Sequence, residues 1–505
     1  MLLFMSIFQC VTNDREKVKY IQQRYVLGFM GFLASVIAYT LRVCLNIAIT
    51  KMVLYRENAH IDPDACPDED SNHQILTEEV PTNLYHWDET TKGIILSSFF
   101  WGYAVSHIPG GLLAQKFGGK NSLGLSILCS SVLTLMTPWV IVTTNGNWII
   151  LVVWRSIIGL AQGVMHPALN NLLSKWIPLS ERAKIGTLVF AGGQIGTISS
   201  NLISGTLINA TGTWTSVFYV FGAAGIIWHI FWQIFCYSDP VSHPFITKEE
   251  FSYLKSELES ISVESHSIPW RSIFTSVPVW ALVIAQIGHD WGFYTMITDL
   301  PSYMSDVLKF NVKDNGIWNS VPYLVMWLCS MGSGWLCDWL ISSKRMTVTK
   351  ARKFFTTIAS LGPGIFIMAA SYSGCHRYFT VTMFTMAMGF LGAYYSSKKV
   401  NALDLAPNYA GILMALVNGI GAITGIIAPY LAGTLTENHT LKEWRTIFWI
   451  TFFIFLITNI IFCIFGSGEE QVWNNFDNKN VKEIHSTGED TAFFNFKRKE
   501  KNTNV

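Results

Sequence analysis

The chain has 505 residues, half of them apolar and only 14% charged, with 33 Phe and 19 Trp. That balance excludes an ordinary soluble domain and defines an integral membrane protein. Its 35 basic and 34 acidic side chains leave a formal net charge of +1, so charge gives no reason to expect a nucleic-acid partner.

Roughly 20 apolar residues cross the hydrocarbon of a bilayer. Twelve stretches of that kind occur, at 25–50, 93–114, 122–143, 148–172, 184–208, 214–236, 277–298, 316–340, 353–373, 377–400, 408–434 and 443–466. They predict an all-α membrane protein with twelve transmembrane helices. Residues 1–24 are a cytoplasmic N-terminus carrying Arg15, Lys17, Lys19 and Arg24. Its opening, "MLLFMSIF", has no basic residues before it and no small-residue cleavage site after it, so it does not read as a signal peptide. Residues 51–92 form a loop that is acidic from Asp62 to Glu79. Basic residues follow span two (Lys116, Lys120), span four (Lys175, Arg182, Lys184) and span eight (Lys344, Arg345, Lys350, Arg352, Lys353). All of these lie on one side. The positive-inside rule makes that side cytoplasmic, with both termini there and the 51–92 loop opposite.

Span one carries Arg42 within "LRVCLNIAIT", and span four carries Arg155. An arginine at bilayer depth costs roughly 2.5–3.5 kcal/mol on insertion scales. Beside a water-filled cavity most of that cost disappears, and a guanidinium binds carboxylate or phosphate oxygens in a fork that lysine cannot copy. The alternative is snorkelling, or pairing with a helix-end carbonyl, which suits Arg155 better than Arg42. Tyr103 in span two and Tyr294 in span seven are placed on the cavity, because these spans pair across the two halves. Asn418, Asn401 and Gln194 either bind substrate or carry helix-to-helix hydrogen bonds. Candidates for ion coupling are His107, His166, His289 and Asp290; each histidine has a second reading as a hydrogen-bonded interior residue, whereas a carboxylate inside a span is seldom idle. Span ten ends in "YYSSKKVNALD", where Lys398 and Lys399 either charge the cavity or, for at least one of them, snorkel to headgroups.

An internal repeat divides the chain. "GLLAQKFGGK" from Gly111 matches "GWLCDWL" from Gly334 at 334 − 111 = 223, "GTLVFAGGQIG" from Gly186 matches "GILMALVNGIG" from Gly411 at 411 − 186 = 225, and "WTSVF" from Trp214 matches "WRTIF" from Trp444 at 444 − 214 = 230. Nearly constant offsets at corresponding points of a six-span count indicate duplicated halves, 25–236 and 277–466. The stretch 237–276 is then a cytoplasmic linker in which "KEEFSYLKSELES" predicts a short amphipathic helix. The tail, 467–505, is polar and reads as disordered. Most of the nine cysteines fall in spans, but Cys66 and Cys375 share the oxidising side and are candidates for a disulfide.

The segments "LRVCLNIAI", "SSFFWGYAVSHIPGGLLAQKFGGKN", "WRSIIGLAQGVMHPALNNLLSKWIPLSERAKIGTLVFAGGQIGT", "DWGFYTMITDLPSYM", "NSVPYLVMWLCSMGSGWLCDWL" and "NALDLAPNYAGILMALVNGIG" together resemble the anion:cation symporter branch of the major facilitator superfamily. That branch, solute carrier family seventeen, holds sialin, the vesicular glutamate transporters and the phosphate cotransporters. The resemblance implies the major facilitator fold, two pseudo-symmetric six-helix bundles, with Arg42 and Arg155 facing the central cavity and an anionic substrate. It implies gating roles for Gly111, Gly118 and Asp338 in the loop motifs and for Glu181 and Arg182 in "PLSERAK". Proton-coupled relatives carry carboxylates in span four after the arginine; here Ile158 and Gln162 stand instead, which favours sodium or another proton carrier. Glutamate transporters carry an arginine where His289 stands, which counts against glutamate.

The expected protein is therefore a secondary active transporter of a small anion, inorganic phosphate or an organic carboxylate, coupled to sodium or protons. The alternatives are an uncoupled facilitative carrier or channel and a non-transporting sensor of the same fold. No nucleophile with an adjacent base appears in a soluble segment, so an enzyme is not expected. Neither a metal nor a cofactor beyond the coupling ion is expected; the partners are a small anion and membrane lipid, and the chain is expected to be a monomer. Neither tail carries an acidic dileucine signal, which favours the plasma membrane over a lysosome or vesicle.

Overall fold

The computed structural model describes residues 22–53, 84–259, 268–437 and 440–474. The first half contains α1 (Gln23–Ala48), α2 (Glu89–Phe117), α3 (Gly119–Thr143), α4 (Trp148–Gly163) continued by α5 (Met165–Trp176), α6 (Leu179–Thr211) and α7 (Thr215–Phe235). Two short helices, α8 (Lys248–Glu259) and α9 (Trp270–Thr275), lie in the linker. The second half contains α10 (Val277–Asp306), α11 (Val312–Ser342), α12 (Val348–Ser371), α13 (Arg377–Leu391) followed after a break by α14 (Lys398–Leu405), α15 (Ala410–Gly421) continued by α16 (Thr424–Leu435), and α17 (Leu441–Phe465). Each half thus supplies six spans, and the element order repeats.

Local chemistry sets the ends. Asp88 caps α2 by accepting from the Thr91 amide at 3.1 Å, and Asn311 caps α11 by accepting from the Asp314 amide at 2.8 Å. Thr440 and Glu443 form a reciprocal capping box at α17. Eight of the spans are long and apolar enough to cross a membrane on those grounds alone. The other four, spans two, five, seven and ten, are diluted by Gly, Ser, Thr and Asn or, in span ten, interrupted at Gly392. Such residues belong where helices touch protein rather than lipid.

The seal between the halves follows the repeat. Gly93 of α2 leaves room for α16: a side chain there would stand 2.5 Å from the Pro429 carbonyl oxygen and 3.1 Å from the Gly433 Cα. Gly316 of α11 meets α6 in the same way, 2.5 Å from the Asn201 carbonyl oxygen and 2.8 Å from the Gly205 Cα. The two contacts are related by the offsets 316 − 93 = 223 and 433 − 205 = 228, which match those of the sequence repeat. Lys92 adds an ion pair with Glu89 and, across the halves, with Asp306 at 3.9 Å. All these groups lie on the face opposite the basic loops. At the other ends of the same two spans, Gly186 and Gly411 have nothing within 4 Å of a would-be side chain. The halves therefore meet on the face away from the basic loops and diverge on the basic face.

On the basic face each half is tied internally. Glu250 of the linker helix accepts the free amides at the start of α1, from Gln23 at 2.9 Å and Arg24 at 3.1 Å. Arg24 pairs with Glu181 at 3.1 Å, and Lys175 with Asp239 at 2.8 Å. In the second half Arg352 grips Asp404 with two bonds, 2.6 and 3.2 Å, and donates to the Ser396 carbonyl at 2.6 Å.

Three expectations are corrected. Span seven does not end at 298: Pro301 lies inside α10, which runs to Asp306. Span ten is not one helix, and the break buries Lys398, 2% exposed, against Ser360 Oγ at 3.2 Å instead of letting it snorkel. The first residues of the tail are ordered: Asn401 Nδ2 donates to the Ser467 carbonyl at 2.8 Å, and the Gln471 amide donates to the Leu405 carbonyl at 2.8 Å. Cys375 is disulfide-bonded, while its expected partner Cys66 lies outside the described residues.

Candidate substrate site

Between the halves, a small pocket is lined from the first half by Tyr39, Arg42, Val43, Asn46, Leu96, Phe100 and Arg155, and from the second by Phe293, Tyr294, Ile297 and Thr298. The lining holds two guanidinium groups and no carboxylate. Arg155 is brought there because α4 packs backbone to backbone on α2: Gly159 sits against the Phe99 carbonyl, and Ser156 Oγ donates to the Ser98 carbonyl at 3.0 Å.

Arg42 lies within a cage of rings, its guanidinium carbon 4.7 Å from the Tyr39 and Phe99 centroids and 4.6 Å from that of Tyr103. Ring faces are negative, so they hold a cation without consuming its N–H donors. Accordingly Arg42 Nε and Nη2, though buried, have no hydrogen-bond partner among the described residues. Arg155 Nη2 donates to the Arg42 carbonyl at 3.2 Å, and Arg155 Nε has no partner among the described residues. The two arginines are 6% and 3% exposed, so neither reaches lipid headgroups or bulk water.

Pro301 shapes the opposite wall. A proline has no amide hydrogen, so the carbonyl four residues earlier loses its helical partner. That carbonyl belongs to Ile297, and Asn46 Nδ2 of the other half donates to it at 2.6 Å. Tyr294 stands edge-on to Phe100, 4.6 Å between centroids, closing an aromatic wall across the halves.

The remaining sequence candidates spread out. Tyr103 is not in the pocket lining but lies beneath Arg42, with His107 5.5 Å from its ring. His166 stands beside Phe190 at 5.7 Å. Asn418 is half-buried on α15 and does not line the pocket. His289 stacks on Tyr394 at 3.6 Å, and Asp290 accepts from Gln286 Nε2 at 2.9 Å while its other oxygen fills the space left by Gly421. Tyr394 donates in turn to Gln286 Oε1 at 3.0 Å, which makes a polar cluster within the second half. Gln162, where a carboxylate was looked for, donates to the Ala38 carbonyl at 3.0 Å.

Of the gating candidates, Gly118 turns the chain between α2 and α3 at φ 84°, where a side chain would be strained and would meet Ser238 Oγ at 2.9 Å. Gly111 has only the Pro167 side chain near it, at 3.8 Å. Asp338 is exposed, and the ion pair on its side of the second half is instead Arg352–Asp404. Glu181 ties α6 to α1 through Arg24, and the Arg182 side chain lies outside those described. Sequence reasoning did not single out Asn46, Asp299 or the Arg352–Asp404 pair.

Two six-span halves related by a repeat, sealed on one face and parted on the other around a buried pocket, are the architecture of a membrane transporter. Residues 31–362 match the family model of the Major Facilitator Superfamily. The chain is 40% identical over 458 residues to the "Putative inorganic phosphate cotransporter" of Drosophila melanogaster, covering 90% of this chain and 86% of that one. It is 38% identical to human sialin (89% and 90% covered) and 33% identical to human vesicular glutamate transporter 2 (89% and 75% covered). The chain belongs to the Major Facilitator Superfamily, in the family that these transporters share, solute carrier family seventeen. Among solved structures, a bacterial homolog of the human lysosomal transporter Spinster in an inward-facing conformation aligns at TM-score 0.63 and 13% identity, covering 88% of this chain and 97% of that one. A D-xylose-proton symporter aligns at 0.64 and 12%, with 88% and 98% covered. These two share the fold.

Proposed function

We propose that this transporter moves a small anion, inorganic phosphate foremost, by alternating access, with the movement coupled to sodium or protons. The observation that carries the reading is the pair Arg42 and Arg155 in one pocket, with buried N–H donors that no acceptor among the described residues satisfies. An arginine kept for structure would saturate its donors on carbonyls or carboxylates, because unmet buried donors are costly. Here rings hold the charge and leave the donors for an incoming oxyanion. The phosphate cotransporter relative supports phosphate, and the sialin relative supports a carboxylate as the next candidate.

The basic loops favour a cytoplasmic open face, on which reading this conformation is the inward-open one, and the plasma membrane is the proposed site. The transporter works as a monomer. Asp290, with His289, His107 and His166, supplies the candidates for a proton route, since Gln162 cannot titrate. An uncoupled carrier is the second reading, favoured by that same glutamine.

Radiotracer uptake into proteoliposomes, under separately imposed sodium and proton gradients, tests this with phosphate, sialate, urate and dicarboxylates as solutes. Accumulation of phosphate above equilibrium under one gradient supports the proposal. Flux that never exceeds equilibrium and ignores both gradients supports the uncoupled carrier. If none of these anions moves, the proposal is wrong.

A further inference from the structure

Several of the buried hydrogen-bonding groups that find no partner among the described residues lie near Thr298. Donors without partners belong to Arg42 and Arg155 in the pocket. Three acceptors, Asp299 Oδ2, Asn319 Oδ1 and Asn201 Oδ1, are also buried and have no hydrogen-bond partner among the described residues. Their residues are 4%, 0% and 2% exposed.

Hydrogen bonds link the elements that carry these residues. Asn315 Nδ2 of α11 donates to the Pro301 carbonyl of α10 at 2.9 Å, which fixes that turn of α11 two residues from Asp299. One turn on, Asn319 Nδ2 donates to Asn315 Oδ1, leaving its own oxygen unused. A further turn brings Tyr323, which lies within the electrostatic reach of Asp299. From the other half, Asn201 Nδ2 reaches the Asn319 carbonyl at 3.5 Å. Thr298 Oγ1 donates to Asp299 Oδ1 at 2.9 Å and also lines the anion pocket.

A buried carboxylate with no cationic side chain beside it among the described residues is expensive, and buried amide oxygens that lack donors add to the cost. A hard cation with oxygen ligands removes both penalties. We propose that Asp299, with the side-chain oxygens of Asn319 and Asn201, forms a site for a monovalent cation, sodium, directly behind the anion pocket. The proposal rests on the anion-transport reading and names its coupling ion. Because Asn201 comes from the first half and Asp299 and Asn319 from the second, an ion there ties the halves together on the sealed face. Thr298, which lines the pocket and donates to Asp299, connects the two sites.

The test uses the purified full chain. Binding of radioactive sodium is measured by scintillation proximity, and thermal unfolding is followed in sodium chloride against choline chloride at one ionic strength and fixed pH. Inorganic phosphate is the anion probe. Sodium should bind and raise the melting temperature where choline does not. Asp299→Asn should weaken apparent sodium affinity at least tenfold, and Asn319→Ala should weaken it by less, with both variants eluting as a single folded species. Arg42→Lys should lose the stabilisation by phosphate and keep that by sodium, which separates failure of the anion site from failure of the cation site. The proposal is overturned if wild type binds no sodium, if Asp299→Asn and Asn319→Ala bind it like wild type, or if stabilisation follows pH and not sodium.

Discussion

Arg155 Nη2 donates to the main-chain carbonyl of Arg42 at 3.2 Å, so the charged side chain of span four is anchored to the backbone that bears the charge of span one. The two guanidinium groups are thereby fixed relative to each other before any anion arrives, which reduces the ordering cost of binding. Replacing Arg155 by Lys keeps the charge but loses the planar fork. A hydrogen bond to a charged group is worth about 1.5–3 kcal/mol, so apparent affinity for phosphate should fall roughly 10- to 100-fold. The concentration dependence of initial uptake measures it.

The Asn46–Ile297 contact makes a prediction with its own control. Asn46→Ala leaves the Ile297 carbonyl unpaired at the proline gap and should destabilise the protein by about 1–3 kcal/mol. Pro301→Ala restores an amide hydrogen that the same carbonyl can take within α10. The double variant should therefore be more stable than Asn46→Ala alone. Thermal unfolding of the four proteins gives the coupling; simple additivity would mean that the two residues do not share that carbonyl.

The glycine contacts predict a conformational bias. Gly316→Val forces α11 away from the Asn201 carbonyl and should hold the sealed face open, as should Gly93→Val at the symmetric position. A cysteine introduced for Thr298 should then react with an impermeant maleimide added on the acidic-loop face, and the turnover rate should fall at least tenfold. In the wild-type background the same cysteine should react slowly from that side.

Arg352 and Asp404 form a nearly buried pair, with side chains 8% and 16% exposed. Removing one partner from such a pair costs about 3–5 kcal/mol, whereas replacing both by apolar residues of similar volume is often tolerated. Arg352→Met should therefore lower the melting temperature strongly, and the double variant with Asp404→Leu should recover much of the loss. The comparison is made on solubilised protein at neutral pH.

Twelve spans and two halves were legible in the sequence because apolar length and a constant repeat offset survive in one-dimensional form. Arg42, Arg155 and Tyr294 were legible because charge or an aromatic hydroxyl at depth demands an explanation, and all three line the pocket. Asp299 was passed over because span seven was bounded at 298, one residue short of it, whereas the helix runs on to Asp306. The helix passes through the proline because Asn46, from a distant part of the chain, satisfies the carbonyl that the proline frees. The place of Lys398, left open in the sequence between cavity and headgroups, is interior because span ten breaks at Gly392. The Arg352–Asp404 pair joins residues from different spans, a distance relation that spacing along the chain does not carry.

The central claim is that Arg42 and Arg155 bind the transported anion. Counterflow of labelled phosphate in proteoliposomes, with Arg42→Ala and Arg155→Ala reconstituted at matched protein density, tests it most directly. Exchange should fall to the level of empty liposomes in both variants while each protein remains folded by size-exclusion chromatography. Exchange at the wild-type rate in either variant would contradict the account.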